Sequence, residues 1–240
     1  MLAIKDEKLA GQFQRALQAD YPMLGKTHTI QIAFEASSPE PQVQQEPFRW
    51  VFSDVTGSWS VVLATDFLAL ETRAYTTFGE FLSRFRRAVE ACTEIINAPF
   101  VTRLGLRYIN ELREPGMPWS EMLRPELLGV LVSDIGPKAS RVVGEAQLVL
   151  PGSEFITLRY GLLPTGTAIP PLPGEPAAEG PVFLLDIDAY RDAAVPNTLP
   201  WDVNTLAGLL ADYHGAIHRL FHWSITPKYI ASLGQVVYAS

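Results

Sequence analysis

The sequence predicts an α+β protein: an antiparallel β-sheet in two pseudo-repeated halves, each a β-meander followed by a long amphipathic helix packed on one face. Three observations carry this. Period-two alternation recurs in many short segments, the mark of half-buried strands. Two long stretches, 78–96 and 203–223, carry apolar residues at helical spacing instead. The approach to those helices is also similar, with "LALETRAY" before the first and "FLLDIDAY" before the second, so that Glu71, Arg73 and Tyr75 align with Asp186, Asp188 and Tyr190. The chain is read as a single domain, 1–240, of two similar halves, about 1–115 and 116–240. No long polar linker separates them, and one continuous antiparallel sheet is the simplest assembly.

Element by element, "DEKLAGQFQRALQADYP" opens a helix that Asp6 can cap and Pro22 stops, with Leu9, Phe13, Leu17 and Tyr21 on one face. "THTIQIAFEA" alternates as a strand, and "SSPEPQVQQEP" is a polar loop. "FRWVFSD" and "SWSVVLATDFLALETRAY" alternate again, with Thr56-Gly57 as a hairpin turn between them. Thr77 and Glu80 stand at capping-box spacing before the stripe Phe78, Phe81, Leu82, Phe85, Val89, Cys92 and Ile96, which Asn97 and Pro99 end. "FVTRLGLRYINEL" is the next strand. "SEMLRPELLGVLV" holds short helical turns broken at Pro125. "SRVVGEAQLVL" and "EFITLRYGLL" form a hairpin around "PGS". A Pro/Gly loop at 164–181 precedes the strand "VFLLDIDAY". Asp202 caps the last long helix, whose stripe is Val203, Leu206, Leu210, Tyr213, Ile217 and Leu220, and a short strand or helix follows Pro227.

Composition narrows the function classes. Of 240 residues, 48% are hydrophobic and 19% charged, which supports a sizeable core. The net charge of −7 repels phosphates and anionic lipid, so nucleic acid is disfavoured as a partner. The basic run Arg84, Arg86 and Arg87 is too short to reverse that. No apolar stretch nears the roughly 20 residues of a membrane-spanning helix. Lys5, Asp6, Glu7 and Lys8 interrupt any signal-peptide pattern. The single cysteine, Cys92, forbids an intrachain disulfide and, lying on an apolar helix stripe, reads as an inert core thiol. The expectation is a cytoplasmic protein with no membrane association.

Strand parity sorts the charges. Leu104, Leu106, Tyr108 and Leu112 share one face of "RLGLRYINEL", and Arg103, Gly105, Arg107 and Glu111 share the other. Phe155, Thr157 and Arg159 share a face of their strand. Asp186 and Asp188 oppose Phe183, Leu185 and Ile187. Two readings are open. One is a cross-strand ladder of Arg103 and Arg107 with Asp186, Asp188 or Glu71. The other is a polar floor binding a small anion, with Arg103, Arg107, Arg159, Asp186 and Asp188 as ligand-binding residues. Tyr75 and Tyr190 are read as plugs at the sheet ends, and the tryptophans as core or rim anchors.

His214, His218 and His222 recur every four residues, each step turning about 40° around the helix. Three of the chain's four histidines are here. His214 and His218 are the candidate metal ligands, to be completed by a group from elsewhere; otherwise the stripe is a half-exposed flank. No GxGxxG, P-loop lysine motif or GxSxG elbow occurs, so no catalytic residue is assigned and no cofactor is expected.

In the order "RWVFSD", "VVLATDFLALETRAYTTFGEFLSRF", "RLGLRYIN", "LLDIDAY" and "YHGAIHRLFHWSITP", the segments resemble a sporadically distributed bacterial and archaeal TIGR family of unknown function. "RLGLRYIN" is the most specific signature, and His214 and Phe221 sit where that family's last helix looks similar. The resemblance runs from about Phe48 to Pro227. It implies this fold and no reaction. Its patchy distribution implies an accessory role, of the defence or toxin–antitoxin kind. Members of that family begin with a strand before the first helix. Here Met1 almost directly precedes the helix, which implies a missing or truncated edge strand and an open sheet edge for another chain. The functional expectation is a non-enzymatic binding or protein-interaction module with a protein partner or a homo-oligomer. The alternative is a metal-dependent hydrolase using the histidine flank and sheet carboxylates.

Overall fold

The computed structural model describes residues 7–27, 30–33, 42–45, 49–113, 117–152, 154–164, 180–192 and 198–233. Its elements are α1 (Glu7–Leu17), β1 (Met23–Thr27), β2 (Ile30–Ala33), β3 (Gln42–Gln45), β4 (Arg49–Ser53), β5 (Trp59–Leu63), β6 (Leu68–Thr72), α2 (Phe78–Ile96), β7 (Phe100–Val101) and β8 (Arg103–Arg113). They continue with α3 (Trp119–Met122), α4 (Pro125–Leu128), two 3₁₀ turns, β9 (Gly144–Leu150), β10 (Glu154–Leu163), β11 (Val182–Asp192), β12 (Leu199–Pro200), α5 (Val203–Ser224) and α6 (Pro227–Ser232). This is an α+β fold with antiparallel sheets. Among the described residues no helix is long and apolar enough to cross a membrane. The expected Asp6 cap and most of the Pro/Gly loop lie outside the described residues.

The chain divides into two compact units, Met1–Val101 with Pro200–Ala207, and Thr102–Leu199 with Gly208–Ser240. The strands form separate sheets rather than one. The first unit holds a four-stranded sheet of order β1-β4-β5-β6, and the second holds β8-β11-β10-β9. Both contain a three-stranded meander leading to a long helix. The strand outside the meander joins its first strand in unit one and its last in unit two, so the strand orders do not confirm the pseudo-repeat. The aligned residues differ in place too. β6 ends at Thr72, leaving Arg73 and Tyr75 beyond it, whereas Asp186, Asp188 and Tyr190 lie inside β11. Eight residues of alternating pattern report strand parity, and strand order depends on long-range pairing.

In the first unit, Phe13, Leu17, Tyr21, Phe52, Val61, Leu63 and Cys92 are buried in one cluster. Phe13 and Phe52 stack obliquely with centroids 5.1 Å apart, an arrangement that contributes about 0.5–1.5 kcal/mol beyond area burial. The β4–β5 hairpin forms where expected. Asp54 Oδ1 accepts from the Ser58 N–H at 2.9 Å, and Gly57 supplies the positive φ of 71° the turn needs. α2 begins with Thr77 Oγ1 accepting from the Glu80 N–H at 3.2 Å and ends at Asn97 in the left-handed region. Its buried face is Ala88, Val89, Ala91 and Cys92, while Phe78, Phe81, Leu82 and Phe85 are only half-buried. The basic run is spent internally. Arg84 bonds Glu80 and lies over the Trp59 ring, Arg86 donates to Asn204 and Arg87 pairs with Asp20. Strand β1, "MLGKT", has no clear alternation and was not expected. β3 lies inside the segment read as a polar loop.

In the second unit the inner sheet face is apolar, with Leu104, Leu106 and Leu112 of β8, Ile156 and Leu158 of β10, and Phe183, Leu185, Ile187 and Ala189 of β11 all buried. On α5, Leu210, Tyr213, Ala216 and Ile217 are buried, as the periodicity requires. The first turn of α5 belongs to the first unit, and there Asp202 caps the helix, its Oδ1 accepting from the Thr205 N–H at 2.7 Å. Pro125 sits at the first turn of α4, where its missing N–H leaves no bond unmade.

Candidate functional site: the outer face of the second sheet

The antiparallel register sets the outer face row by row. Arg107 lies opposite Asp188, and Asp188 opposite Thr157. Asp186 lies opposite Arg159, and Arg159 opposite Glu145. Arg103 lies opposite Asp192. The five residues picked from strand parity, Arg103, Arg107, Arg159, Asp186 and Asp188, therefore share one face. Glu71 does not join them; it lies in the first sheet, across from Ser60.

The arginines are held by carboxylates. Arg107 forks onto Asp186, with Nε and Nη2 donating at 2.7 and 2.6 Å. Arg159 Nε donates to Glu145 at 2.6 Å, and its Nη1 lies 3.8 Å from Asp186. Arg103 donates to both oxygens of Asp192, at 2.8 and 2.9 Å, and reaches Asp188 at 3.4 Å. Its guanidinium also lies 4.2 Å from the centroid of the Tyr190 ring. Asp186 is enclosed, its side chain 3% exposed, while Arg107 above it is 51% exposed. The hydrogen bonds from Arg107 to Asp186 push the guanidinium's pKa up. Burial raises the Asp188 carboxyl above its ordinary value, against the pull of Arg103 and Arg107.

Parity did not single out Asp192, Glu145 or Gln147. Each is two or four positions from a residue that was named, or directly across from one, so the signal was present once the register was known. Tyr190 is no end plug. Its ring packs beside Phe155 with centroids 5.7 Å apart, its face carries Arg103, and its hydroxyl accepts from Gln147 Nε2 at 2.8 Å.

On the opposite face of the sheet, the Tyr108 hydroxyl and His214 Nδ1 are 3.2 Å apart. The rings of His214 and His218 have centroids 6.2 Å apart, and those of His218 and His222 4.2 Å. Burial lowers the pKa of His214, assisted by His218; burial likewise lowers that of His218, assisted by His222 and Arg219. Among the described residues no group of three or more His, Cys, Asp or Glu side chains is placed to hold a metal ion.

No family model, curated protein or solved structure matches this chain.

Proposed function

We propose that the chain is a protein-interaction module without a catalytic step of its own, and that the outer face of the second sheet is the surface a partner reads. The observation that supports this most is how the arginines are held. Each guanidinium is tied on one side to a carboxylate, yet the side chains of Arg103, Arg107 and Arg159 stay 50%, 51% and 43% exposed. Donors fixed in place before contact lose little conformational freedom on binding, which is where much of the cost of association lies. Arginine and tyrosine are also the residues that dominate interface energetics, and Arg103 stacked on Tyr190 presents both.

The same geometry argues against a free small anion as the main ligand. Four carboxyl groups, Asp186, Asp188, Asp192 and Glu145, surround three guanidiniums, so each arginine already has an acidic partner on this face. A partner surface of mixed charge fits it better. The resemblance to a sporadically distributed family supports an accessory role for such a module.

The test is charge reversal where the fold is least affected. Arg103→Glu is expected to abolish co-purification of the native partner from cells while moving the melting midpoint little. Binding retained at full strength by Arg103→Glu and by Arg159→Glu would overturn the assignment of this face.

A further inference from the structure

Strand β9 is built unlike the other strands of its sheet. It is the last in the order β8-β11-β10-β9, with no strand on its far side among the described residues. From Glu145 to Val149 every residue is exposed, on both faces of the strand. Leu148 is 43% exposed and Val149 75%. On the inner face, Ala146, Leu148 and Leu158 floor an apolar groove of about 370 Å³ walled by Leu127, Leu220 and Trp223. Natural edge strands are usually blunted by lysine, proline or a covering element. The sequence of β9, "GEAQLVL", contains neither lysine nor proline.

We propose that β9 pairs antiparallel with β9 of a second copy of this chain, joining two four-stranded sheets across a two-fold axis at Gln147. This goes beyond the reading of the charged face and does not depend on it. Charge and size choose the occupant. An axis at Gln147 pairs all seven residues of the strand, Gly144 with Leu150 and onward. The one charge on the strand, Glu145, is already bonded to Arg159 at 2.6 Å. It would face Val149 of the partner copy, with the two Glu145 carboxylates four positions, about 13 Å, apart. That exceeds the screening length of about 8 Å at physiological salt. On the inner face the small Ala146 meets the larger Leu148 of the other copy, twice by symmetry, and each apolar groove continues into its counterpart. The strand is therefore complementary to itself in charge and in side-chain size, which a two-fold interface requires.

The register gives the test. In this pairing residue 149 faces Glu145 of the other copy. Val149 is mostly solvent-exposed, so charged replacements leave the folded chain intact, and circular dichroism and thermal melts confirm it. Sedimentation of the full chain from low to high micromolar concentration is expected to show a monomer–dimer equilibrium. Val149→Glu sets two like-charge pairs across the axis and should weaken the dimer at least roughly tenfold. Val149→Lys sets two opposite-charge pairs and should keep or tighten it. Gln147→Cys should form a covalent dimer on mild oxidation, and Val149→Cys should not. A wild-type chain that stays monomeric throughout, glutamate and lysine variants that dimerise alike, or equal crosslinking through positions 147 and 149 would each overturn the proposal. None of these outcomes bears on partner capture by Arg103, so the two readings fail separately.

Discussion

Arg107 stands directly across from Asp188 in the β8–β11 register, yet it gives both hydrogen bonds of its fork to Asp186, one row along. The diagonal choice shapes the electrostatics of the face. Asp186, almost fully enclosed, gets the planar two-bond partner that a buried carboxylate needs. Among the described residues Asp188 is paired with Arg103 at 3.4 Å, and burial raises its pKa.

Arg107→Ala leaves Asp186 with Arg159 at 3.8 Å as its nearest guanidinium. Losing a charged hydrogen-bond partner from an enclosed carboxylate costs about 1.5–3 kcal/mol. The solvent exposure of Arg107 itself favours the lower end. Urea unfolding at neutral pH measures this. A change below a few tenths of a kcal/mol would mean that the ladder contributes only at the surface.

For Asp188 the sign is opposite. A carboxyl whose pKa is raised in the folded state binds its proton more tightly folded than unfolded. Its contribution to stability therefore falls as pH rises from the ordinary value of 3.8 through the raised one, and the penalty persists at neutral pH. Asp188→Asn is expected to raise the melting midpoint at pH 7. That gain should vanish at pH values below 3.8, where the native carboxyl is protonated in both states. Melts across that range check it; a variant less stable than wild type at pH 7 would show that the Arg103 contact outweighs burial.

How far the sequence reaches is visible on this face. Parity alone separated Arg103 and Arg107 from Leu104, Leu106 and Tyr108, because a strand side chain has only two directions. The same rule put Asp186 and Asp188 opposite Phe183, Leu185 and Ile187. It could not say that Arg107 would bond diagonally, nor that β8 would lie beside β11 rather than β9, since both follow from non-local pairing. On α2 the stripe was correct but the depth was not. Phe85 lies on it and is still half-buried, because helical period gives direction and not what packs above. Strand β1 went unseen for a plainer reason: Met23 and Leu24 are exposed, and an edge strand with no buried side writes no alternation.

The histidine flank predicts acid sensitivity. Burial lowers His214 and His218 from the ordinary value of 6.5. A depressed base binds protons more readily unfolded, so its contribution is complete above 6.5 and is lost as pH falls through the lowered folded values. A protonated His214 carries an N–H at Nδ1, so the Tyr108 hydroxyl 3.2 Å away could then only accept there. Stability should fall as pH drops below 6.5 and passes through the lowered folded values, and His218→Phe should flatten that slope. An unchanged slope in the variant would remove His218 from the account.

Cys92 is fully enclosed, and burial pushes its thiol pKa up to about 12. Native protein at neutral pH should resist thiol reagents, and denaturant should release the chain's one reactive thiol. Rapid labelling without denaturant would contradict the assigned face of α2.

Two glycine substitutions should move stability in opposite directions. Gly161, buried on β10, has a φ of 155°, and a Cβ there would run into the Val142 carbonyl oxygen. That approach is fixed by the Val142 N–H donating to the Leu162 carbonyl at 3.0 Å, just ahead of β9. Gly161→Ala must therefore push the entry to β9 off β10, at a cost of about 1–3 kcal/mol. Gly11, within α1, has nothing within 4 Å of the position a Cβ would take. Gly11→Ala should stabilise by about 0.5–1 kcal/mol, because alanine loses less backbone freedom on entering a helix. Urea melts measure both. Limited proteolysis at 139–143 adds a local readout, with faster cleavage expected for Gly161→Ala and no change for Gly11→Ala. If Gly161→Ala melted like wild type and cleaved no faster, the close packing of Val142 on β10 would not be holding the edge strand in place.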